Sequence, residues 1–133
     1  MRKAILMMLL AVVSSSAIAS DWVFIDSAGD KGTSFIEYAD NDSIRRNGAI
    51  VKIWVMADDK YTEKTQGKKY RSIKSQWEID CKSEQMHVVF TTFFSGNMGN
   101  GEPVLTDTKF TELRPVSPDS VGESLFRFAC GKK

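Results

Sequence analysis

The chain has 133 residues, and its 18 lysines and arginines nearly balance its 17 aspartates and glutamates. A length of this order suits one small domain. The balanced charge argues against a general nucleic-acid binder, because such proteins need an excess of basic side chains to neutralise phosphates.

The first 19 residues have the pattern of a cleaved export signal. A positive start, Arg2-Lys3, precedes the apolar run Ala4–Val13, and Ala17-Ile18-Ala19 fits the small-x-small cleavage pattern. The apolar run is too short for a membrane-spanning helix, which needs about 20 apolar residues. We therefore expect residues 1–19 to be removed after export, and residues 20–133 to form one domain in the periplasm or at the cell surface. No cysteine stands directly after the run, so we expect no lipid anchor, and the shortness of the run predicts no membrane span.

The first half of the expected domain has the pattern of β-strands separated by turns. The runs Asp21–Ala28 and Thr33–Asp40 are rich in strand-forming residues, and Gly29–Gly32 between them is typical of a hairpin connection. Asn47-Gly48 is a strong turn signal. The next run, Ala49–Ala57, is apolar on both faces, which predicts a central strand covered on both sides.

The segment Tyr70–Cys81 alternates in polarity with the period of two expected of a strand. One face carries Ile73, Trp77, Ile79 and Cys81, and the other carries Ser72, Lys74, Gln76, Glu78 and Asp80. We expect one buried and one solvated face, with Cys81 on the buried one. Gln85–Phe94 and Val104–Leu113 predict two more strands.

The C-terminal segment changes to a helical period. Val121, Leu125 and Phe128 form an apolar stripe at i, i+4 and i+7. Ser117 is placed to cap this helix, and Gly131 suits the position just past its end. The sequence therefore predicts an α+β fold: an antiparallel sheet of about six strands with a C-terminal helix on one face.

Cys81 and Cys130 are the two cysteines of the chain. In an exported protein an even cysteine count indicates a disulfide, which here would tether the C-terminal helix to the sheet. Two free thiols or a metal site are the alternatives. A zinc site needs four ligands, and His87 is the single histidine. We therefore expect no metal and no cofactor.

The sequence contains no pattern that predicts catalysis. His87 lies in an alternating run and is interpreted as a half-buried strand residue rather than a general base. Asp58 and Asp59 are neighbours in a strand, so their side chains point to opposite faces and do not work as an acid and base pair. The glycine-rich loop Ser95–Gly101 leads into a strand rather than a helix, which indicates a hairpin loop and not a phosphate site. We expect a non-enzymatic protein.

The stretch Lys60–Lys74 concentrates positive charge, with six basic residues against one acidic residue, Glu63. One interpretation is a solvated hairpin loop. The other is an electropositive ridge, flanked by Tyr61 and Tyr70, that binds polyanions or acidic protein segments. The candidate binding residues are Lys64, Lys68, Lys69, Arg71 and Lys74.

Several short motifs, in their joint order and spacing, resemble a known family. They are Ser43-Ile44-Arg45-Arg46-Asn47-Gly48 before a strand with Trp54, Tyr70-Arg71-Ser72 before Ile79-Asp80-Cys81, Asn97-Met98-Gly99-Asn100-Gly101, Arg114-Pro115 with Ser117 and Ser120, and Ala129-Cys130. From about Trp22 to Cys130 the chain is similar to the surface-adhesin protein E family of bacterial envelope proteins. The resemblance implies an antiparallel sheet with a disulfide-tethered helix. It also implies binding to host matrix and serum proteins such as vitronectin and laminin.

Two further expectations concern location and assembly. The founding adhesin of the family is similar to a surface lipoprotein, whereas this chain lacks a cysteine for lipid attachment after its apolar run. A periplasmic structural or envelope-maintenance protein without a host ligand is therefore the alternative to an adhesin, since a fold can transfer without its function. Sheet edges that nothing covers also predict a homodimer formed through edge strands.

Overall fold

The computed structural model describes residues 20–30 and 33–131. The predicted signal peptide, residues 1–19, lies outside the described residues. Within them, no helix is long and apolar enough to cross a membrane.

The described chain forms an antiparallel sheet and one α-helix. The strands are β1 (Trp22–Asp30), β2 (Thr33–Asp40), β3 (Arg45–Asn47), β4 (Ile50–Thr65), β5 (Lys68–Asp80), β6 (Gln85–Phe94), β7 (Pro103–Asp107) and β8 (Arg114–Pro115), and the helix is α1 (Val121–Cys130). The main strand order is β1-β2-β4-β5-β6-β7, with short β3 beside β4 and short β8 beside β6. The predicted α+β class, with about six principal strands and a C-terminal helix, is confirmed.

Strand β4 lies inside the sheet, as its two apolar faces predict. Val51, Ile53 and Val55 are buried on the face that α1 covers, and they pack with Leu125 of the helix. Met56 is fully buried on the opposite face. Burying apolar side chains on both faces of one strand removes large areas from water, which stabilises the centre of the sheet.

Helix α1 begins later than the sequence predicted. The side chain of Ser120, not that of Ser117, accepts a hydrogen bond from the Glu123 backbone N–H at 3.1 Å and caps the helix. Asp119 has a left-handed φ of 56°, which no helical first turn allows. The expectation for Ser117 was wrong because the chain turns once more, with the Ser120 hydroxyl donating to the Ser117 carbonyl at 2.6 Å. Gly131 follows the last helical residue with φ 82°, as expected.

A disulfide joins the end of α1 to the end of β5. Cys81 and Cys130 are bonded, with their Cα atoms 5.6 Å apart. Arg46 adds a second tether, because its guanidinium donates to the carbonyl of Ala129 in the last turn of the helix. The C-terminal helix is therefore held to the face of the sheet that the alternation in β5 predicted for Cys81.

The second face of β5 differs from the prediction of a solvated surface. Ser72 is fully buried, and its hydroxyl donates to the Gly96 carbonyl at 2.6 Å and accepts from the Gly99 N–H at 2.9 Å. The loop Ser95–Gly101, which connects β6 to β7, folds over this part of the sheet. Gly99 has φ 71°, a left-handed conformation that favours glycine, and a Cβ there would also displace the end of the Lys74 side chain, 2.3 Å away. The prediction was wrong at Ser72 because a distant loop buries this face.

Strand β7 is also shorter than predicted. It ends at Asp107, whereas the sequence predicted a strand over Val104–Leu113. The carboxylate of Asp107 accepts from the Lys109 N–H at 2.9 Å, a local turn that competes with continued strand pairing. Thr111 then returns to β6 and donates its N–H to the Val88 carbonyl at 3.1 Å.

Candidate functional site

A β-hairpin extends beyond the rest of the sheet. Strand β2 pairs with β4 as far as Asp59, and β6 pairs with β5 as far as Ser72. Residues 60–71, here called the hairpin arm, therefore have only each other as strand neighbours, on either side of the turn at Gln66-Gly67. Both turn residues have positive φ, 47° and 75°, which is the requirement of a tight type I′ hairpin turn. The basic stretch is thus a paired arm rather than an irregular loop.

The arm carries exposed positive charge near its tip. Lys64, Lys68 and Lys69 are all exposed, and Lys64 lies directly opposite Lys69 in the strand register. Like charges opposite each other destabilise a strand pair. The ion pairs of residues 20–30 and 33–131 involve other side chains, so these ammonium groups face water. Lys60 is exposed at the base of the arm, 5.5 Å from the ring of Tyr61.

The other two predicted binding residues occupy different places. Arg71 lies at the base of the arm, where its guanidinium donates to the Lys60 carbonyl at 3.0 Å and to the Thr62 hydroxyl at 3.5 Å. Lys74 is half-buried on the sheet, with its ammonium 5.7 Å from the Trp22 ring centroid and 5.4 Å from that of Phe94. The structure therefore brings Lys64, Lys68 and Lys69 together at the arm tip, and leaves Arg71 and Lys74 engaged with other parts of the fold.

A cavity of about 400 Å³ lies at the base of the arm, on the face of the sheet that carries α1. It is here called the acidic cavity. The residues that line it are Ser34, Phe35, Glu37, Val55, Ala57, Asp59, Glu63, Tyr70, Ile73, Ser75 and Trp77. Its walls are mostly apolar, and three of its side chains are carboxylic acids.

Two carboxyl groups of the acidic cavity have strongly perturbed pKa values. Burial, and to a lesser extent the neighbouring Asp26, raises the pKa of Glu37 to about 7. Burial is also the largest cause at Asp59, whose pKa is raised to about 6, with Glu63 and Asp58 adding to the shift and Arg71 opposing it. Buried groups with perturbed pKa values in a cleft are typical of functional sites.

Glu37 and Asp59 are not among the site residues predicted from the sequence. Glu37 alternates with Phe35 and Ala39, but Ile36 and Tyr38 make the other face of β2 equally apolar, so the sequence alone does not predict that Glu37 is buried. Asp59 was considered only together with its neighbour Asp58. The structure confirms that these two aspartates point apart: Asp58 accepts from the Met98 N–H at 2.7 Å in the covering loop, whereas Asp59 lines the acidic cavity.

His87 has the environment of a strand residue. It is half-buried in β6, its Nδ1 lies 2.8 Å from the Thr111 carbonyl oxygen, and its Nε2 lies 3.4 Å from a Glu78 carboxylate oxygen. Among the residues that the structure describes, no three histidine, cysteine or acidic side chains converge as metal ligands would.

The chain is similar to known proteins in both sequence pattern and fold. The family model for surface-adhesin protein E matches residues 22–131, whereas no curated protein matches significantly in sequence. Crystal form II of Haemophilus influenzae protein E superimposes with a TM-score of 0.59 at 16% identity, over 84% of this chain and 96% of that one. A second structure of Haemophilus influenzae protein E gives 0.56 at 18% identity, over 84% and 88%.

At such low identity the two structures establish the shared fold, and the family model covers nearly the whole described chain. The matched segment takes in the hairpin arm, the acidic cavity and the tethered helix. The protein belongs to the surface-adhesin protein E family.

Proposed function

We propose that this protein is an exported, non-enzymatic binding module whose hairpin arm contacts acidic segments of host matrix or serum proteins. Vitronectin and laminin are the partners that the family resemblance implies. The observation that carries the proposal is the exposed cluster of Lys64, Lys68 and Lys69 on a hairpin that stands clear of the sheet.

The arm has the physical properties of an electrostatic contact surface. Concentrated charge of one sign accelerates encounters with oppositely charged partners, and salt weakens that effect. Tyr61 is 44% exposed beside Lys60 at the base of the arm and offers the aromatic surface that interfaces favour. Tyr70, the other tyrosine of the predicted ridge, instead stacks edge-on against Phe93 at 4.9 Å within the fold.

Charge reversal on the arm tests the proposal. Lys68→Glu with Lys69→Glu is compared with Lys82→Glu and Lys109→Glu, which change the net charge equally at exposed sites outside the arm. We expect the arm variant to lose at least about tenfold in affinity for immobilised vitronectin or laminin, and the control to bind like the wild type.

The salt dependence of binding is a second test in the same experiment. Binding of the wild type should weaken between about 0.05 and 0.5 M NaCl, because the Debye length falls below about 10 Å over that range. Equal binding by the arm variant and the control, with no salt dependence, would refute the role of the arm. If the arm variant loses binding to heparin but still binds vitronectin and laminin like the wild type, the partner of the arm is a polyanion rather than a host protein.

Location decides between the adhesin and a periplasmic structural or envelope-maintenance protein. A C-terminally tagged chain is expressed, intact cells are treated with protease, and a known periplasmic protein serves as the control. We expect degradation in intact cells with the periplasmic control spared. Protection until the cells are lysed would contradict the surface location and favour the periplasmic alternative.

The proposed homodimer is tested separately. The main sheet ends at strands β1 and β7, whose outer edges offer backbone groups for pairing with another chain. Sedimentation velocity over a range of concentrations should show a dimer. A monomer at every concentration would contradict pairing through the sheet edges.

A further inference from the structure

The acidic cavity contains two buried acceptors that lack donors. Glu37 is 8% exposed and Asp59 is 9% exposed, and both line the cavity. Glu37 Oε2 and Asp59 Oδ2 have no hydrogen-bond partner among the described residues. Because buried carboxylate oxygens are nearly always hydrogen-bonded, two unpaired ones in a single cavity indicate a place for a ligand that donates.

The charges around the cavity favour a cation. Asp26 on β1 lies opposite Glu37 in the strand register. The negative charge of Glu63 on the arm raises the pKa of Asp59. Asp58 also raises the pKa of Asp59, whereas Arg71 lowers it. From the helix, the Ser124 hydroxyl donates to Asp26 at 2.8 Å and adds no charge. The negative groups outnumber the positive one, so a bound cation lowers the electrostatic cost of ionising the carboxyl groups of Glu37 and Asp59.

The positions of the two carboxyl groups suit one compact donor. Glu37 pairs with Ala57 in the register, and Asp59 lies two residues further along β4 on the same face. Such diagonal neighbours have backbones about 7 to 8 Å apart, so a group with several N–H donors between the two side chains reaches both. Val55, Ile73 and Trp77 line the remainder of the cavity and offer an apolar wall to an alkyl chain.

We propose that the acidic cavity binds a primary alkylammonium group, such as that of a lysine side chain or a polyamine, with its nitrogen between Glu37 and Asp59. An ammonium is a compact point charge with three donors, which suits two acceptors on neighbouring strands. A quaternary ammonium has no N–H and leaves both oxygens unpaired. This site is independent of the lysine cluster on the arm.

Binding should depend on pH because the cavity titrates near neutrality. The pKa of Glu37 is about 7 and that of Asp59 about 6, so both are ionised above these values and neutral well below them. Asp26 is the charged neighbour of Glu37, and Asp58, Glu63 and Arg71 are those of Asp59. Tyr70 stays neutral over this range because its already high pKa is raised by burial and by Asp59 and Glu63. An ammonium ion therefore binds more tightly as the pH rises from about 5 to 8.

The probe is butylammonium chloride, titrated calorimetrically into the full exported chain. We expect a Kd on the order of 1 mM at about pH 8, and at least about tenfold weaker binding at about pH 5. Tetramethylammonium at the same ionic strength is the matched control, and its binding should be at least about tenfold weaker. Equal binding of the two ions, or no butylammonium binding at about pH 8, would overturn the proposal.

Variants locate the binding site within the molecule. Glu37→Gln with Asp59→Asn should abolish butylammonium binding, whereas Glu102→Gln with Asp107→Asn, exposed residues outside the cavity, should retain it. Retained binding in the cavity variant would overturn the assignment. If the double variant does not fold, Glu37→Gln alone is used, with an expected loss of at least about tenfold.

Two natural sources of the ammonium group are then compared. Cadaverine represents polyamines, and acetyl-Gly-Lys-Gly-amide represents a lysine side chain of a protein partner. Tighter binding of either one, lost in the cavity variant, supports the site and identifies the source. Failure of both to bind where butylammonium binds would contradict a site that accepts these natural ligands.

Discussion

Glu37 should make the stability of this protein fall as the pH rises through neutrality. Its pKa is raised from an ordinary value of 4.5 to about 7, with burial as the main cause. Between these values the folded state holds a proton that the unfolded chain has released, so raising the pH favours unfolding. A difference of about 2.5 pKa units at 1.36 kcal/mol each corresponds to a loss of about 3 kcal/mol between pH 4 and pH 8.

Substitution of Glu37 by glutamine isolates this effect. The free energy of unfolding is measured by urea denaturation at a series of pH values for the wild type, Glu37→Gln and the exposed control Glu102→Gln. Any pH-independent cost of burying the amide is the same at every pH, so only the change with pH is compared. We expect the difference between Glu37→Gln and the wild type to shift by about 3 kcal/mol in favour of the variant from pH 4 to pH 8.

The control should follow the wild type at every pH, because its carboxyl group is exposed. The raised pKa of Asp59 contributes in the same direction to all three proteins and cancels in the comparison. Parallel pH profiles for the wild type and Glu37→Gln would refute the reasoning, since they require an unperturbed carboxyl group at this position.

Three further predictions concern the fold. Replacing Cys81 and Cys130 by serine should lower the free energy of unfolding by about 4 kcal/mol, the chain-entropy value for a ring of this size. Urea denaturation of the variant and of the oxidised wild type checks this prediction, and equal midpoints would contradict it. Leu125→Ala should cost about 2 to 5 kcal/mol because Leu125 is fully buried between α1 and the sheet; a cost near zero would place the helix off this face. Ser72→Ala should speed hydrogen exchange at the Gly99 amide, which donates to the Ser72 hydroxyl, by about tenfold. An unchanged exchange rate would show that other contacts hold the covering loop.

Local patterns in the sequence determined much of the architecture. Alternation in β5 placed Cys81 on the face that receives the helix, and the apolar stripe at Val121, Leu125 and Phe128 predicted that helix. These features are predictable because neighbouring residues in a strand or helix point in directions set by the backbone geometry alone. The pairing of Cys81 with Cys130 followed from the cysteine count together with the expected export.

Only the tertiary structure decided which surfaces are free. Ser72 alternates with apolar residues and was expected to face water, yet the loop Ser95–Gly101 folds over it and buries it. The arm extends beyond the sheet because the pairing with β2 stops at Asp59 and the pairing with β6 stops at Ser72. The arm's own sequence does not indicate where its neighbouring strands end.

The acidic cavity shows the same limit. Glu37 and Asp59 lie on different strands, and they face one cavity because the register of β2 on β4 places Glu37 opposite Ala57. Period two predicts the face of each residue within its own strand, but not the register between strands that are separated along the chain. The sequence determined most of the elements and the face of the sheet that receives the helix, and long-range pairing decided which charged groups meet.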